Sequence, residues 1–325
     1  MSESSKRTAP STGRRSRLRQ LTLGDRIWLK FAIGIPVFVH VMLVWIPAVI
    51  TAVLSFLRWD NLAPIGDATP VGFKNYWQIT TIFDSNLFPA LFNNLILIVW
   101  LTFCSAIGML FAYLLDKQVK GGRVYQSIFY MPVVLSIAVV GFIWKAVMFH
   151  PEQGLLNKII PGKGIDFLGN NSFIFSFHPP FLDFPLGLTK NFGALLLAMA
   201  WRHIGYIMVL YLAGLKSVDP SLREASAIDG ANELQAFRRV VFPTLKPINV
   251  VVAVITVIEA LRAYDIVAAL GTQRGTEVMG TLVTGSLTGE GGGRVGIGSA
   301  YGMVLFFLCI GFIIYYVINN FREEN

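Results

Sequence analysis

The residues best able to do chemistry in this chain are charged side chains that interrupt long apolar runs. Arg202 and His203 lie in one run, and Glu259 and Arg262 lie in another, with Asp265 three residues further on. A charge at the centre of a bilayer costs about 2.5–3.5 kcal/mol on insertion scales, so it should face a cavity or a partner. We expect Glu259 to pair with Arg262 or Arg202, either along a water-filled route or as a structural pair that fixes helix packing.

Aromatic and amide side chains in the same runs would suit a carbohydrate. Sugars bind to flat apolar faces flanked by groups that hydrogen-bond to hydroxyls. The predicted substrate-pathway residues are Asn94, Trp144, Trp201, Arg202, Glu259, Arg262, Tyr264, Asp265 and Tyr301. Membrane packing is the alternative for each aromatic. Trp201 and Tyr264 are the favoured pathway aromatics because charged residues adjoin them.

Other kinds of chemistry have little support in the sequence. Cys104 and Cys309 lie inside apolar runs, and their spacing offers neither a disulfide framework nor a metal site. The sequence has no Gly-x-x-x-x-Gly-Lys-Ser/Thr phosphate loop, so the chain itself should not hydrolyse ATP. We therefore expect a protein that is not an enzyme and that carries no cofactor or metal of its own.

The composition is that of a bilayer protein. Of 325 residues, 54% are hydrophobic and 14% are charged, and the mean hydropathy is +0.60. Soluble domains carry about 25% charged residues. The net charge of +8 would also suit a nucleic-acid partner, but the basic residues collect beside apolar runs, as topology signals do.

Six apolar segments are long enough to cross about 30 Å of hydrocarbon as helices. They lie near 31–57, 91–115, 127–149, 193–216, 248–268 and 299–320. The first is too long for the apolar region of a signal peptide, so we expect a retained span after a disordered basic tail, 1–26. Lys and Arg favour the inner loops if both termini are cytoplasmic. The fold class is then an all-α membrane protein, with one transmembrane domain over 27–325.

A polar segment, 217–247, separates the fourth and fifth spans. Asp219 can cap a helix that has Pro220 in its first turn, and Gly230 can end that helix with a positive φ. Asn232, with Gln235 three residues later, can start a second helix. The pattern predicts a helix–turn–helix, with an ordinary amphipathic connector as the alternative.

Within that segment, Glu224-Ala225-Ser226-x-x-Asp229-Gly230-Ala231, followed by Phe237, Pro243 and Pro247, resembles the coupling loop of ABC-importer permease subunits. The resemblance implies the type I transmembrane fold, with a cytoplasmic coupling helix that docks on an ATP-binding subunit through residues 220–243. The residues implied in docking are Glu224, Ala225, Ile228, Asp229, Gly230, Leu234 and Phe237. For Asp229, stabilisation of the turn is the alternative role.

Further segments resemble the sugar permeases of the maltose and glycerol-phosphate type. They are 71–76 (Val-Gly-Phe-Lys-Asn-Tyr), 131–136 (Met-Pro-Val-Val-Leu-Ser) and 263–266 (Ala-Tyr-Asp-Ile), whereas 271–275 departs from the family's Thr-x-Gly-Gly-Pro. The resemblance implies import of a mono- or oligosaccharide or a polyol across a bacterial cytoplasmic membrane. Its implied partners are two ATP-binding subunits, a second homologous permease subunit and an extracellular or periplasmic sugar-binding protein.

Two other functions remain open from the sequence. An ion-coupled secondary transporter could use Glu259, Asp265 and His203, but the polar helix–turn–helix would then have no role, and no inverted repeat is visible. A membrane scaffold would leave the charges within the spans unexplained. The aromatic segment 150–190 is predicted to form either a folded outer cap or an interfacial belt.

Overall fold

The computed structural model describes residues 22–60, 64–81, 86–117, 119–160, 164–180, 182–271, 274–288 and 293–322. Most of the predicted basic tail, 1–21, and Thr272 and Gln273 lie outside these ranges. The chain divides into two units, with the boundary between Val53 and Leu54. Each unit is described by itself.

The first unit is one long helical segment. Helix α1 (Leu23–His40) passes through a π-helical turn (Val41–Trp45) into α2 (Ile46–Leu54). A capping box starts it: Thr22 N–H donates to Asp25 Oδ2, and Asp25 N–H donates to Thr22 Oγ1. The portion Ile27–Leu54 is 28 residues long and apolar enough to span a membrane. The helix therefore starts earlier than the predicted span, within the last residues of the predicted tail.

Helices dominate the second unit. Three of them, α4 (Leu87–Asp116), α8 (Lys190–Ser217) and α15 (Val295–Arg322), contain continuous candidate spans. The others are α3 (Lys74–Thr80), α5 (Gly122–Val134), α6 (Ile137–Phe142, extended by a π-helical turn to Met148), α7 (Leu155–Ile159), α9 (Pro220–Ile228), α10 (Glu233–Ala236, followed by a π-helical turn, Phe237–Val241), α11 (Phe242–Thr244), α12 (Lys246–Leu261), α13 (Tyr264–Leu270) and α14 (Met279–Leu287).

Of the remaining two predicted spans, the third is bent, because the α5 and α6 segments meet at 99°. Helix α12 of the fifth meets the preceding segment Glu233–Thr244, which belongs to the predicted polar segment 217–247, at 74°. Within the described residues there are four continuous spans, or up to six if each bent pair counts as one. The third span bends because Pro132 offers no N–H to the helical ladder and Ser136 starts a new helix by accepting a bond from Val139 N–H.

The fifth span also ends earlier than its sequence pattern predicts. A continuous helix over 248–268 was expected, but α12 stops at Leu261, and α13 begins after a turn at Arg262 and Ala263. The side-chain amide of Asn94 donates to Ala260 O at 2.7 Å. Buried backbone groups need partners, so this bond helps to stabilise the break.

Small residues allow the helices to approach closely. A Cβ on Gly108 of α4 would lie 2.9 Å from Ile204 O of α8, and one on Gly205 would lie 2.1 Å from Phe129 O of α5. Such contacts are a common means of helix association in membranes, where lipid removes the hydrophobic drive for association. Helix α8 therefore lies at the centre of the unit, against both α4 and α5.

Two small antiparallel hairpins lie at the end of the spans away from 217–247. Strand β1 (Leu57–Arg58) pairs with β2 (Thr69–Pro70), and β3 (Phe173–Phe177) pairs with β4 (Leu186–Thr189). In the predicted Asn75-Tyr76 motif, Asn75 Nδ2 donates to Ser55 O and Leu57 O, both at 2.8 Å. The segment 150–190 also contains α7, so its described part is folded.

Candidate coupling and translocation sites

The polar segment forms the predicted helix–turn–helix. Asp219 caps α9 by accepting a bond from Ser221 N–H at 2.9 Å, and this bond lowers the pKa of the Asp219 carboxyl. Gly230 ends the turn with φ +78°, in the left-handed region that favours glycine. Asn232 and Gln235 exchange two bonds of 2.9 Å as a capping box before α10. Local sequence signals thus specify the whole motif.

The tip of this helix–turn–helix is an exposed apolar surface. Ile228 is 87% exposed and Leu234 is 71% exposed. Glu224, Ala225, Asp229 and Gly230 are also exposed. Exposed apolar patches with polar surroundings mark interaction sites. We call Glu224–Leu234 the coupling tip.

Ser226 and Phe237 point away from this surface. Ser226 is buried, and its hydroxyl donates to Arg223 O at 2.8 Å, so a small residue suits this position. Phe237 is half-buried, with its ring centroid 4.6 Å from that of Tyr113 on α4. The structure therefore brings six of the seven predicted docking residues to the surface and uses Phe237 to hold the motif against α4.

Two ion pairs fasten the helix–turn–helix to the end of α4. Arg223 Nη1 lies 2.7 Å from Asp116 Oδ2, and Lys117 pairs with Glu233. The hydrogen bond to Glu233 raises the pKa of Lys117, whose Nζ also lies 4.7 Å from the centre of the Tyr113 ring. Sequence reasoning missed this contact because the partners lie on either side of two intervening spans.

In the middle of the spans, the carboxylate of Glu259 on α12 contacts the side chains of Arg202 and His203 on α8. Its Oε1 lies 3.1 Å from Arg202 Nη1, and its Oε2 lies 2.8 Å from His203 Nδ1. Of the two arginines considered from the sequence, Arg202 is therefore the one that pairs with Glu259. His203 is fully buried, and its bond to Glu259 gives one of its ring nitrogens a partner.

The network extends from His203 to α4. His203 Nε2 lies 2.9 Å from Ser105 Oγ, which lies 3.1 Å from Thr256 Oγ1 and donates to Leu101 O at 2.9 Å. Ser105 and Thr256 are buried polar residues that sequence reasoning missed. A signal was available, since each hydroxyl interrupts an apolar run, but serine and threonine are common in membrane helices.

A cavity of about 440 Å³ adjoins this network. Four charged residues, Arg202, Glu259, Arg262 and Asp265, line it together with Tyr206 and aliphatic side chains. The bend after α12 brings Arg262 and Asp265 to its wall, where both are exposed. The structure thus brings together the charged members of the predicted pathway.

The other predicted pathway residues lie elsewhere. The rings of Trp144 and Trp201 pack edge to face at 5.9 Å within an apolar cluster. Tyr264 lines a neighbouring pocket beside Asp265. Asn94 is buried, and its Oδ1 accepts a bond from Met279 N–H at 2.9 Å while its Nδ2 bonds to the bend. Tyr301 is 1% exposed and packs in a third cluster.

Within the described ranges, no group of three or more His, Cys, Asp or Glu side chains is placed to hold a metal ion. The cavity instead offers charged and hydrogen-bonding groups beside apolar walls. Such a lining suits reversible contact with a polar solute.

Comparisons with known proteins agree with these features. The family described as "Binding-protein-dependent transport system inner membrane component" matches residues 105–323. The xylose/arabinose import permease protein XacH of Haloferax volcanii is 30% identical over 284 residues, which cover 85% of this chain and 83% of the relative. The arabinooligosaccharides transport system permease protein AraP of Bacillus subtilis is 29% identical over 266 residues, with coverage of 80% and 77%.

A solved structure shares the fold. A chain of a bacterial ABC transporter involved in the import of the acidic polysaccharide alginate aligns with a TM-score of 0.72 at 21% identity. The alignment covers 92% of this chain and 97% of that one. The likeness therefore extends over nearly all of both chains.

Proposed function

Because the chain belongs to the family of binding-protein-dependent transport system inner membrane components, we propose that it is the permease subunit of an ATP-driven importer for a mono- or oligosaccharide or a polyol. The observation that carries the proposal is the exposed coupling tip, with Ile228 and Leu234 facing outward. Apolar side chains this exposed on a polar, well-capped motif fit a protein-docking surface.

The proposed partner at the coupling tip is an ATP-binding subunit, which supplies the nucleotide site. Ile228 and Leu234 supply the apolar contact, and Glu224 pairs with a basic group of that subunit. Asp229 and Gly230 shape the turn between the two helices. The ion pair between Arg223 and Asp116 then passes movement of the docked subunit to α4.

The complete importer in this proposal contains two ATP-binding subunits, a second homologous permease subunit and an external sugar-binding protein. This chain supplies half of the translocation pathway, and both of its termini face the cytoplasm. The excess of Lys and Arg on that side supports this orientation. ATP-driven closure of the ATP-binding subunits moves the coupling tips and switches the spans between inward- and outward-facing states.

The proposed solute route passes the cavity beside Arg202 and Glu259. Its volume of about 440 Å³ falls within the range of about 300–1,000 Å³ that is usual for small-molecule sites. Arg262 and Asp265 offer hydrogen bonds to hydroxyls, and Tyr264 lies beside them. The other predicted pathway residues pack around the solute route and do not touch the solute; they are Asn94, Trp144, Trp201 and Tyr301.

A sugar is the proposed cargo because two relatives are named for the import of xylose and arabinose or of arabinooligosaccharides. The ion-coupled alternative is disfavoured by the structure as well as by the family. Glu259 and His203, which that alternative would use, already bond to Arg202 and Ser105.

The test is a matched pair of charge insertions. In the full complex, we expect Ile228→Asp to lose both co-purifying ATP-binding subunit and sugar-stimulated ATP hydrolysis. Ile65→Asp changes an equally aliphatic, exposed residue at the other end of the molecule and should retain the ATP-binding subunit. Retention of that subunit and of full hydrolysis by Ile228→Asp would refute docking at the coupling tip.

A further inference from the structure

The strand β3 exposes an unusual amount of apolar surface. Phe173, Ile174, Phe175 and Phe177 are 42%, 58%, 51% and 47% exposed. Its partner β4 is largely buried, because it lies between β3 and the helices. The hairpin therefore exposes one apolar strand. The proposed docking at the coupling tip, at the other end of the spans, does not explain this exposed surface.

Contacts with α4 and α8 fix the depth of β3. The ring centroid of Phe177 lies 5.5 Å from that of Phe92, the sixth residue of α4. A Cβ on Gly193, the fourth residue of α8, would lie 3.4 Å from Ile174 Cδ1. The strand thus lies alongside the outer ends of two spanning helices rather than beyond them.

That depth corresponds to the boundary between headgroups and hydrocarbon. The 30 residues of α4 span about 45 Å at about 1.5 Å per residue. A hydrocarbon core of about 30 Å leaves about 7 Å of helix at each end. Phe92 lies five residues after Leu87, at about 7 Å from the helix end on the same rise, so Phe177 lies at this boundary.

The exposed surface of β3 continues an apolar stripe on α4. Leu95, Val99 and Phe103 are 55%, 64% and 57% exposed, and their spacing places them on one face of the helix. Phe92, which contacts Phe177, precedes Leu95 by three residues and belongs to the same face. A stripe of exposed apolar residues on a spanning helix faces lipid.

The composition of the segment fits the same environment. Residues 167–182 contain no Lys, Arg, Asp or Glu, so burial against lipid would strand no formal charge. Aromatic rings favour the membrane–water interface. Among the described residues, β3 pairs with β4 alone. Its other backbone edge needs hydrogen-bond partners, which water and headgroups supply at the interface but the hydrocarbon core does not.

We propose that the β3–β4 hairpin is an interfacial membrane anchor. Phe173, Ile174, Phe175 and Phe177 are seated at the boundary of headgroups and acyl chains in the outer leaflet. The hairpin thereby ties the outer ends of α4 and α8 to the bilayer surface. The partner is the lipid bilayer, and the proposal is independent of which solute the protein transports.

Spin labels provide the test. Nitroxides are attached to Phe175→Cys and, in a second variant, to Ile174→Cys, in a Cys104→Ala, Cys309→Ala background. Val99→Cys supplies a lipid-facing reference and Glu152→Cys an exposed polar reference. The full complex is reconstituted in vesicles of phosphatidylethanolamine and phosphatidylglycerol, and collision rates with oxygen and with a water-soluble nickel chelate are measured.

The expected result is that labels at 174 and 175 collide more with oxygen than with the nickel chelate, with a ratio between the two references and nearer to that of Val99→Cys. A nickel-dominated ratio equal to that of Glu152→Cys would overturn the proposal, since the strand would then face water. Low collision with both reagents would also overturn it, because another protein chain would then cover the strand.

Discussion

At the residue scale, the arrangement around Glu259 shows how a charge is accommodated within the spans. One carboxylate oxygen faces Arg202 and the other faces His203, whose second nitrogen reaches Ser105. Each buried polar atom of the imidazole therefore has a partner, which removes the cost of burying it unpaired. The same contacts join α4, α8 and α12 at one depth, so the network both positions the helices and borders the cavity.

The ion pair between Glu259 and Arg202 should contribute to the stability of the protein. We expect Glu259→Gln and Arg202→Gln each to lower the thermal unfolding midpoint in detergent, because each leaves the other side chain without its ionic partner. The double variant should recover part of the loss, with an interaction energy of about 0.5–3 kcal/mol. Strictly additive losses in the double-mutant cycle would contradict a direct pairing.

Variants at Asn94 and Asp265 should distinguish a residue that stabilises the fold from one that contacts the solute. Asn94→Leu conserves volume but leaves Ala260 O and Met279 N–H without their side-chain partner, at a cost of about 1–3 kcal/mol. We expect it to lower the unfolding midpoint while the KM for uptake stays unchanged. Asp265→Asn, on the exposed cavity wall, should change KM with little effect on unfolding. The reverse assignment of the two effects would place the solute at Asn94 instead.

At the element scale, the conformation of the coupling helix–turn–helix depends more on interactions between residues close in sequence than that of the spans does. Its caps, its turn glycine and its helix bounds follow from residues within a few positions of each other. Its attachment does not, since Tyr113 and Asp116 come from α4 and Lys117 follows directly after it. The bend after Val134 is likewise absent from the hydropathy pattern, because apolar composition continues through it, whereas the break after Leu261 lies among the charged residues Glu259, Arg262 and Asp265.

Gly230 offers a test in which only backbone conformation changes. A Cβ at this position meets no atom within 4 Å in this chain, but its φ of +78° costs an ordinary L-residue about 1–2 kcal/mol. We expect Gly230→Val to reduce uptake while membrane insertion stays intact. Gly230→Asn is the control, since asparagine tolerates this region, and it should retain most activity. Equal loss in both variants would point to contact with the docked partner instead of backbone strain.

The ion pair between α9 and α4 offers a charge-swap test of force transmission. Asp116→Arg and Arg223→Asp should each raise the number of ATP molecules hydrolysed per solute imported, because the coupling tip then moves without α4. The double swap restores opposite charges and should recover coupling.

A control for this swap is Glu233→Gln, which breaks the more exposed pair with Lys117 and should alter coupling little. Coupling that is lost in the single variants and not recovered in the double swap would contradict transmission through Asp116 and Arg223.

At the scale of the whole molecule, the two ends of the second unit have different surfaces. One end carries the coupling tip, with charged side chains around Ile228 and Leu234. The other carries the two β-hairpins, whose exposed strand β3 is apolar and uncharged. Between them, α4 and α8 run the full distance, so both helices link the coupling tip to the outer surface through the charged network.

The proposed orientation predicts which end reacts from which side. In a Cys104→Ala, Cys309→Ala background, Lys120→Cys, at an exposed position outside the coupling tip, should react in intact cells with a membrane-impermeant maleimide only after permeabilisation, whereas Glu152→Cys should react at once. The physical reason is the placement of Lys and Arg on the cytoplasmic side. Immediate labelling of Lys120→Cys in sealed cells would invert the topology and rule out coupling to cytoplasmic ATP.

The sequence by itself determined the membrane class, the number of apolar segments and the geometry of the coupling helix–turn–helix. These depend on composition and on residues near each other in the chain, such as Asp219 with Ser221 and Asn232 with Gln235. Only the tertiary structure decided that Glu259 pairs with Arg202, that Asn94 supports a bend and that Trp144 packs on Trp201. These contacts depend on which side of each helix packs against which neighbour. Because hydropathy is nearly uniform around a span, the sequence pattern says little about that side.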